Sequence, residues 1–340
     1  MKLVSFLKNN EERLGLFNEN KIFDLELSGK ELNLALPSKM TDLLNDFENM
    51  KSKAKDVDNA IKNGKISKNL EKDKIKMLAP VPHPTSCRDG YAFRQHVATA
   101  RRNRGVDMIP EFDQFPIFYL TNHNAIFGEG EIVVEKDHLE KLDIELEAAI
   151  VIGKKGKNID VKDADSHIAG YMIMNDLSAR VLQMEEMKLN LGPAKGKDFA
   201  TVIGPWLVTT DELEKYKVET EAGNKYDLRM TAQHNGKQIS DGNMKDMDWT
   251  FAQIIERASY GVELLPGDVI GSGTVGTGCY LELNGTWALE AKAQGKEFSP
   301  IWLKDGDTVE LEITGLGKLS NKIVKANQDY SILEKKKNIK

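Results

Sequence analysis

Hydrophobic residues along this chain come mostly in short runs. LVSFL, RLGLF and KIFDLEL, within the first 40 residues, are separated by Asn, Gly and charged positions, which predicts short strands joined by turns. The texture changes over residues 41–72. TDLLNDFENMKSKAKDVDNAIKNGKISKNLE is charged and weakly helical, with Thr41 placed to cap a helix ahead of Leu43 and Leu44, and it reads as a solvated helix pair. KMLAPVPHPTS then brings prolines close together, and proline ends both helices and sheet ladders. A domain edge is expected near residue 80. It divides a small N-terminal part, residues 1–80, from a larger domain over residues 81–327 and a frayed basic tail over 328–340. The larger part alternates many short strands with a few helices.

Four segments of the larger part carry unusual polar positions. LDIELEAAIVIG, residues 142–153, reads as one strand, so Asp143, Glu145 and Glu147 share a face that Ala149 and Val151 continue. Acids running into an apolar end either surround a hard divalent cation or form an exposed acidic edge. In HIAGYMIMNDLSARVLQMEE, Asp176 stands where an apolar run meets a helical pattern. Arg180 and Gln183 share its helical face if the helix starts at once; an N-cap with a surface ion pair is the alternative. Further upstream, Asp89 and His96 are two helical turns apart amid arginines between Arg88 and Arg104, which form either a solvated face or an anion seat. His96 is either a structural hydrogen-bonding residue or a base or ligand. Lys197 lies between glycine-containing turns and an apolar strand, as an exposed loop residue or as a point charge for a substrate oxygen.

Composition narrows the classes. The chain has 340 residues, 40% hydrophobic and 29% charged, with a formal net charge of −6, which disfavours a nucleic-acid binder. No run is long and apolar enough for a membrane-spanning helix, and the start lacks the pattern of a signal peptide, so a cytoplasmic location with no membrane partner is expected. Cys87 and Cys279 are far apart and form no thiolate zinc pattern. Asn284-Gly285-Thr286 matches a glycosylation sequon without a secretory route to support it. Gly271 to Gly276 matches GxGxxG, but CYLELNGTW after it alternates like a strand, so a turn between two strands is expected in place of a dinucleotide loop.

Taken together and in this order, several motifs resemble the fumarylacetoacetate hydrolase family. They are Asp89-Gly90-Tyr91-x-Phe93-Arg94-Gln95-His96, Asp143-x-Glu145-x-Glu147, Met174-Asn175-Asp176-x-Ser178-Ala179-Arg180 with Gln183, Gly192-Pro193-x-x-Gly196-Lys197-x-Phe199, and Ser272-Gly273-Thr274. Gly204-Pro205-Trp206 and Leu281-Glu282-Leu283 also fit, and the match spans about residues 81–327. The resemblance implies a β-rich α+β fold, a fumarylacetoacetase-like mixed β-roll with a small N-terminal accessory β domain over residues 1–80, and a homodimer. It implies a divalent cation, Mg²⁺ first and Ca²⁺ or Mn²⁺ otherwise, held by Asp89, Glu145, Glu147 and Asp176, with Lys197 and Thr201 near it. By the same resemblance His96 is the general base, oriented by Glu282. Arg180, Gln183 and Lys197 hold substrate oxygens, and Tyr91, Tyr119 and Thr274 contact substrate.

The sequence also departs from the family pattern. Gly90 follows Asp89 where the hydrolases carry a bulky aromatic, Ala200 replaces a usual Gly, and Gly105 stands where they carry a substrate-binding Arg, with Arg101, Arg102 and Arg104 beside it. The surroundings of Tyr119 differ as well. The implied activity is hydrolysis of a carbon–carbon bond in a β-diketone acid, fumarylacetoacetate or a related acylpyruvate, so the expected partner is a small dicarboxylate or diketone. The same scaffold also serves decarboxylases, hydratases and isomerases of 2-oxo acids. A metal-stabilised binding protein without turnover is the reading outside catalysis.

Overall fold

The computed structural model describes residues 1–335; the end of the basic tail, residues 336–340, lies outside the described residues. A large sheet runs in the order Leu70–Glu71, Lys21–Asp24, Glu11–Asn18, Lys2–Lys8, Thr201–Thr209, Ile168–Asp176, Leu146–Ile152, Val269–Gly271, Cys87–Gly90, Phe118–Thr121. Its three central strands, Thr201–Thr209, Ile168–Asp176 and Leu146–Ile152, are buried at every position. They read as unbroken apolar runs because both of their faces are covered.

Alternation along Leu146–Ile152 shows how. Leu146, Ala148, Ile150 and Ile152 join a core shared with a second sheet, ordered Lys237–Asn243, Arg229–His234, Thr308–Ile313, Gly317–Lys325, Gly130–Val134. Ala149 and Val151 face the other way, into a core with Leu43, Phe47 and Val57. Those last residues belong to the helices Met40–Asn45 and Phe47–Lys62. Residues 41–62 are thus a helix pair, but a third layer of the molecule in place of a solvated one: Phe47, Ala54, Val57 and Ile61 make a buried stripe at helical spacing. Thr41 lies inside its helix, whose N-cap is Lys39.

Around residue 80 the sheet continues. Lys2–Lys8 pairs antiparallel with Thr201–Thr209, Leu3 opposite Leu207, and Lys76–Met77 pairs back onto Lys2–Lys8. The Ser5 hydroxyl donates to the Pro80 carbonyl at 2.8 Å. The prolines therefore turn the chain without interrupting the sheet to which residues 1–80 contribute. KIFDLEL divides in two: the strand Lys21–Asp24 ends at an N-cap, where Asp24 accepts from Leu27 N at 3.1 Å and starts the helix Leu25–Glu31. Cys87 and Cys279 are both buried and unbridged. Among the described residues no helix is long and apolar enough to cross a membrane.

Candidate active site

Residues 142–153 form two strands where one was expected. Leu142–Asp143 pairs with Ser178–Ala179, and Leu146–Ile152 pairs with Ile168–Asp176. The break between them lets Glu145 and Glu147 turn to one point while Asp143 goes elsewhere. Asp176 reaches that point from the end of Ile168–Asp176, and Asp89 from Cys87–Gly90, which runs parallel to Val269–Gly271. One carboxylate oxygen from each of Asp89, Glu145, Glu147 and Asp176 lies within 4.8 Å of the others, and all four residues are buried. Room between them depends on Gly271. A Cβ there would stand 2.5 Å from Asp89 Oδ1 and 3.0 Å from Glu147 Oε2. Gly273, at φ +79°, lets the following loop bring its N–H to Asp89 Oδ1 at 3.0 Å.

Cations reach only one side of this cluster. Lys197 Nζ donates to Glu145 Oε2 in a short contact and to Asp176 Oδ2 at 2.5 Å. Arg180 Nη2 donates to Glu145 Oε1 at 2.7 Å. Burial pushes the Glu145 carboxyl up, but Lys197 and Arg180 outweigh it and hold the group down at about 2. On the other side the balance reverses. Burial, then the nearby Asp176 charge, raises Asp89 to about 7, and burial with Asp89 raises Glu147 well above the usual carboxylate range. Glu147 Oε2 and Asp176 Oδ1 are buried without a hydrogen-bond partner. Orphaned hard oxygens, four convergent acids and a gap a Cβ would fill suit a divalent cation.

Other predicted residues surround this floor. Thr201 lies opposite Asp176 in the ladder, and the Thr274 hydroxyl donates to Glu147 Oε1 at 3.3 Å. The Tyr119 hydroxyl donates to Asp176 Oδ2 in a short contact, and burial raises that phenol far above its usual range. Asp89 and His96 do not share a helix: Asp89 is on a strand and His96 on the helix Arg94–Arg102. His96 Nδ1 lies 2.8 Å from Glu282 Oε2, and Tyr91 packs edge-on to the imidazole at 5.9 Å between centroids. Glu282 is itself held, accepting from Thr277 N at 3.0 Å while its carbonyl accepts from Asn103 Nδ2 at 2.8 Å. Such a hydrogen bond orients the ring and fixes which nitrogen carries the proton. Arg180 and Gln183 begin the helix Arg180–Met187, after the short strand Ser178–Ala179, so Arg180 does not pair with Asp176; its Nη1 donates to Gln183 Oε1 at 2.9 Å.

Asp143 was grouped with the metal acids by its spacing and has a different task. It accepts from Arg180 Nε at 2.8 Å and Nη2 at 2.7 Å, and from Tyr280 N at 2.7 Å and Leu281 N at 2.9 Å. Tyr280–Ala293 is a helix, where a strand was expected after the glycine loop. Its exposed N–H groups, the usual seat of a pyrophosphate at such a loop, are taken by Asp143. The one sequence signal for this role was an acid on an apolar strand; Arg180, its partner, was expected on substrate oxygens or beside Asp176. Asn284, the sequon residue, is buried and exchanges both hydrogen bonds with the Ile301 backbone.

His96, Lys197, Arg180, Gln183, Tyr91, Tyr119 and Thr274 all line one cavity of about 880 Å³ whose floor includes Asp89 and Glu145. The arrangement offers a cation seat, a fixed imidazole and buried positive groups within one space.

The family model described as the C-terminal domain of fumarylacetoacetate (FAA) hydrolase matches residues 85–324. Oxaloacetate tautomerase YisK of Bacillus subtilis is 32% identical over 261 residues, 73% of either chain. The fumarylacetoacetate hydrolase domain-containing protein 2 homolog of Dictyostelium discoideum is 30% identical over 331 residues, 95% of this chain and 97% of that one. A maleylpyruvate hydrolase from Sphingobium sp., solved in complex with manganese (II) ion and pyruvate, superposes at a TM-score of 0.65 with 21% identity, over 96% of this chain and 100% of that one, and so shares the fold. With the matched family model spanning most of the chain, and with relatives of this identity and coverage, the chain belongs to the fumarylacetoacetate hydrolase family of enzymes.

Proposed function

We propose that this protein hydrolyses a carbon–carbon bond of an acylpyruvate-type β-diketone acid with the help of a divalent cation, Mg²⁺ in the first instance. The observation that carries the reading is the His96–Glu282 pair, 2.8 Å apart, with His96 lining the same cavity as Asp89 and Glu145 of the acid cluster. A cation held by Asp89, Glu145, Glu147 and Asp176 supplies Lewis-acid polarisation of carbonyl oxygens beside it. With Glu282 holding Nδ1, the other ring nitrogen of His96 takes a proton from water. The water oxygen bonds to the acyl carbon, and the bond between that carbon and the methylene breaks. Its electron pair passes into the pyruvate half as an enolate, and His96 returns the proton to the methylene carbon. Lys197 and Arg180 keep positive charge at the floor, where the developing anion lies, without reorganising.

Keto–enol tautomerisation of a 2-oxo acid is the second reading, favoured by the name of the Bacillus subtilis relative. It needs the same base and charges but no attacking water. Acetopyruvate loss and oxaloacetate enol decay, both followed by ultraviolet absorbance with Mg²⁺ and with chelator, separate the two. Under the first reading acetopyruvate yields acetate and pyruvate, and His96→Ala lowers that rate by ~10² to 10⁴-fold with the metal still bound. Full activity of His96→Ala, or enol decay without any cleavage, overturns it.

A further inference from the structure

One face of the helix Arg180–Met187 changes character within two turns. Residues 180, 183, 184 and 187 lie together on it. Arg180 and Gln183 join the ionic floor, while Met184 and Met187 line the same cavity at 42% and 48% exposure. From Arg180 to Met187 the axis rises by about 10 Å. The helix Tyr280–Ala293 repeats the pattern: Glu282 holds His96, and Leu281 and Ala288, a helical repeat of seven apart, face the cavity. Phe298, Pro300 and Trp302 complete that wall. Across from it Ile117, 48% exposed, also lines the space.

We infer that the cavity has a second, apolar subsite, and that the acyl half of the substrate is an alkyl chain or aryl group laid along Met184, Met187, Leu281 and Trp302. The pyruvate half needs only the floor, which a four- or five-carbon oxo acid would fill, leaving most of the 880 Å³ and its apolar wall to the rest of the substrate. Two cations also reach this space, Arg101 and Arg104, and they would suit a substrate with a distal carboxylate. Arg104 is exposed and Arg101 half-buried, each already donating through Nε to a backbone carbonyl, of Ala100 and Asp107, and an ion pair at this rim adds little. Apolar area removed from water on the wall of Met184, Met187, Leu281 and Trp302 adds more.

The subsite rests on the hydrolase reading only for the identity of the oxo-acid half, so binding is measured apart from turnover. With Mg²⁺-loaded protein, calorimetry on straight-chain 2-oxo acids from four to eight carbons should show affinity rising about fourfold per methylene and an increasingly negative heat-capacity change. In parallel, kcat/KM for acylpyruvates with methyl, propyl, pentyl and phenyl groups should climb in the same proportion and exceed that of a carboxyl-ended analogue. Met184→Ser and Met187→Ser should flatten both slopes. Affinity that rises with chain length without cleavage supports the subsite and overturns the hydrolase reading. Cleavage with a flat slope, or a preference for the carboxyl-ended analogue, overturns the subsite and leaves that reading standing. Absence of binding by every oxo acid overturns both.

Discussion

Two dense charge clusters in this molecule solve the same problem differently. Near the N-terminus, the Met1 amine, Lys55 and Lys62 face Asp58, Asp211 and Glu212. Three cations meet three acids. Burial pushes Glu212 up, but the Met1 amine and the lysines outweigh it and hold it at about 2. In the cavity floor, Asp89, Asp143, Glu145, Glu147 and Asp176 are served by Lys197 and Arg180 alone. Four of those acids, all but Glu145, are pushed upward, chiefly by burial, and two of their oxygens have no hydrogen-bond partner. In the first cluster every acid has a cation of the chain within 2.9 Å. The second is short of positive charge by an amount a dication roughly supplies, and the difference separates a structural ion network from a binding site more surely than acid density does.

The contrast can be broken at either end. Lys197→Met leaves Glu145 and Asp176 buried without the cation they share, Glu145 keeping only Arg180. Urea unfolding of the cation-free variant should show a loss of about 3–5 kcal/mol; a loss near zero would mean that these acids do not need Lys197. Next comes Glu147→Gln. It should weaken metal binding by at least ~10²-fold, more than removal of an outer partner costs, and abolish the rise in melting temperature that Mg²⁺ gives the parent. That rise corresponds to about 2.7 kcal/mol at a hundred times Kd. In chelator the same variant should be more stable than the parent, since one repelling charge is gone. Equal metal content in variant and parent would refute the carboxylate site.

Smaller effects test the balanced cluster. Glu212 is held below its ordinary value of about 4.5, so its pairing contributes stability above that pH and loses it as pH falls towards about 2. Glu212→Gln should therefore cost on the order of 1 kcal/mol at pH 7 and nothing near pH 2, read as converging urea midpoints. Lys55→Met, in a partly exposed position, should cost less than about 1 kcal/mol and leave metal binding unaltered. Altered metal affinity in that variant would show that the clusters are coupled.

Much of the site was legible because its groups carry their own signals. Acids on an apolar strand are rare enough to point at Glu145, Glu147 and Asp176, and strand alternation places Glu147 with Ala149 and Val151 as observed. What alternation cannot show is a break, and the interruption at residues 144–145 is what sends Asp143 to Arg180 and the helix start. The helix Tyr280–Ala293 was read as a strand for a related reason. Its first turn is buried nearly all round, at Tyr280, Glu282, Leu283 and Asn284, and its later turns are mostly open, so no single apolar stripe marks it. The helix pair near residue 50 was recognised as helical, but its burial depends on a sheet formed by distant residues. Periodicity within a segment reports what that segment can form; which surface covers it is decided elsewhere.

The Asp143 carboxylate holds two places that lie 37 and 137 residues further along the chain, Arg180 and Tyr280. Contacts of such range carry a loop-closure cost that local ones do not. Glu282, which holds His96, lies on the helix whose start Asp143 holds, so a chain in which these segments are apart has neither the cation seat nor the oriented base. Metal uptake during refolding should accordingly follow the meeting of these segments, which makes the ion a reporter of completed molecules in a mixed population.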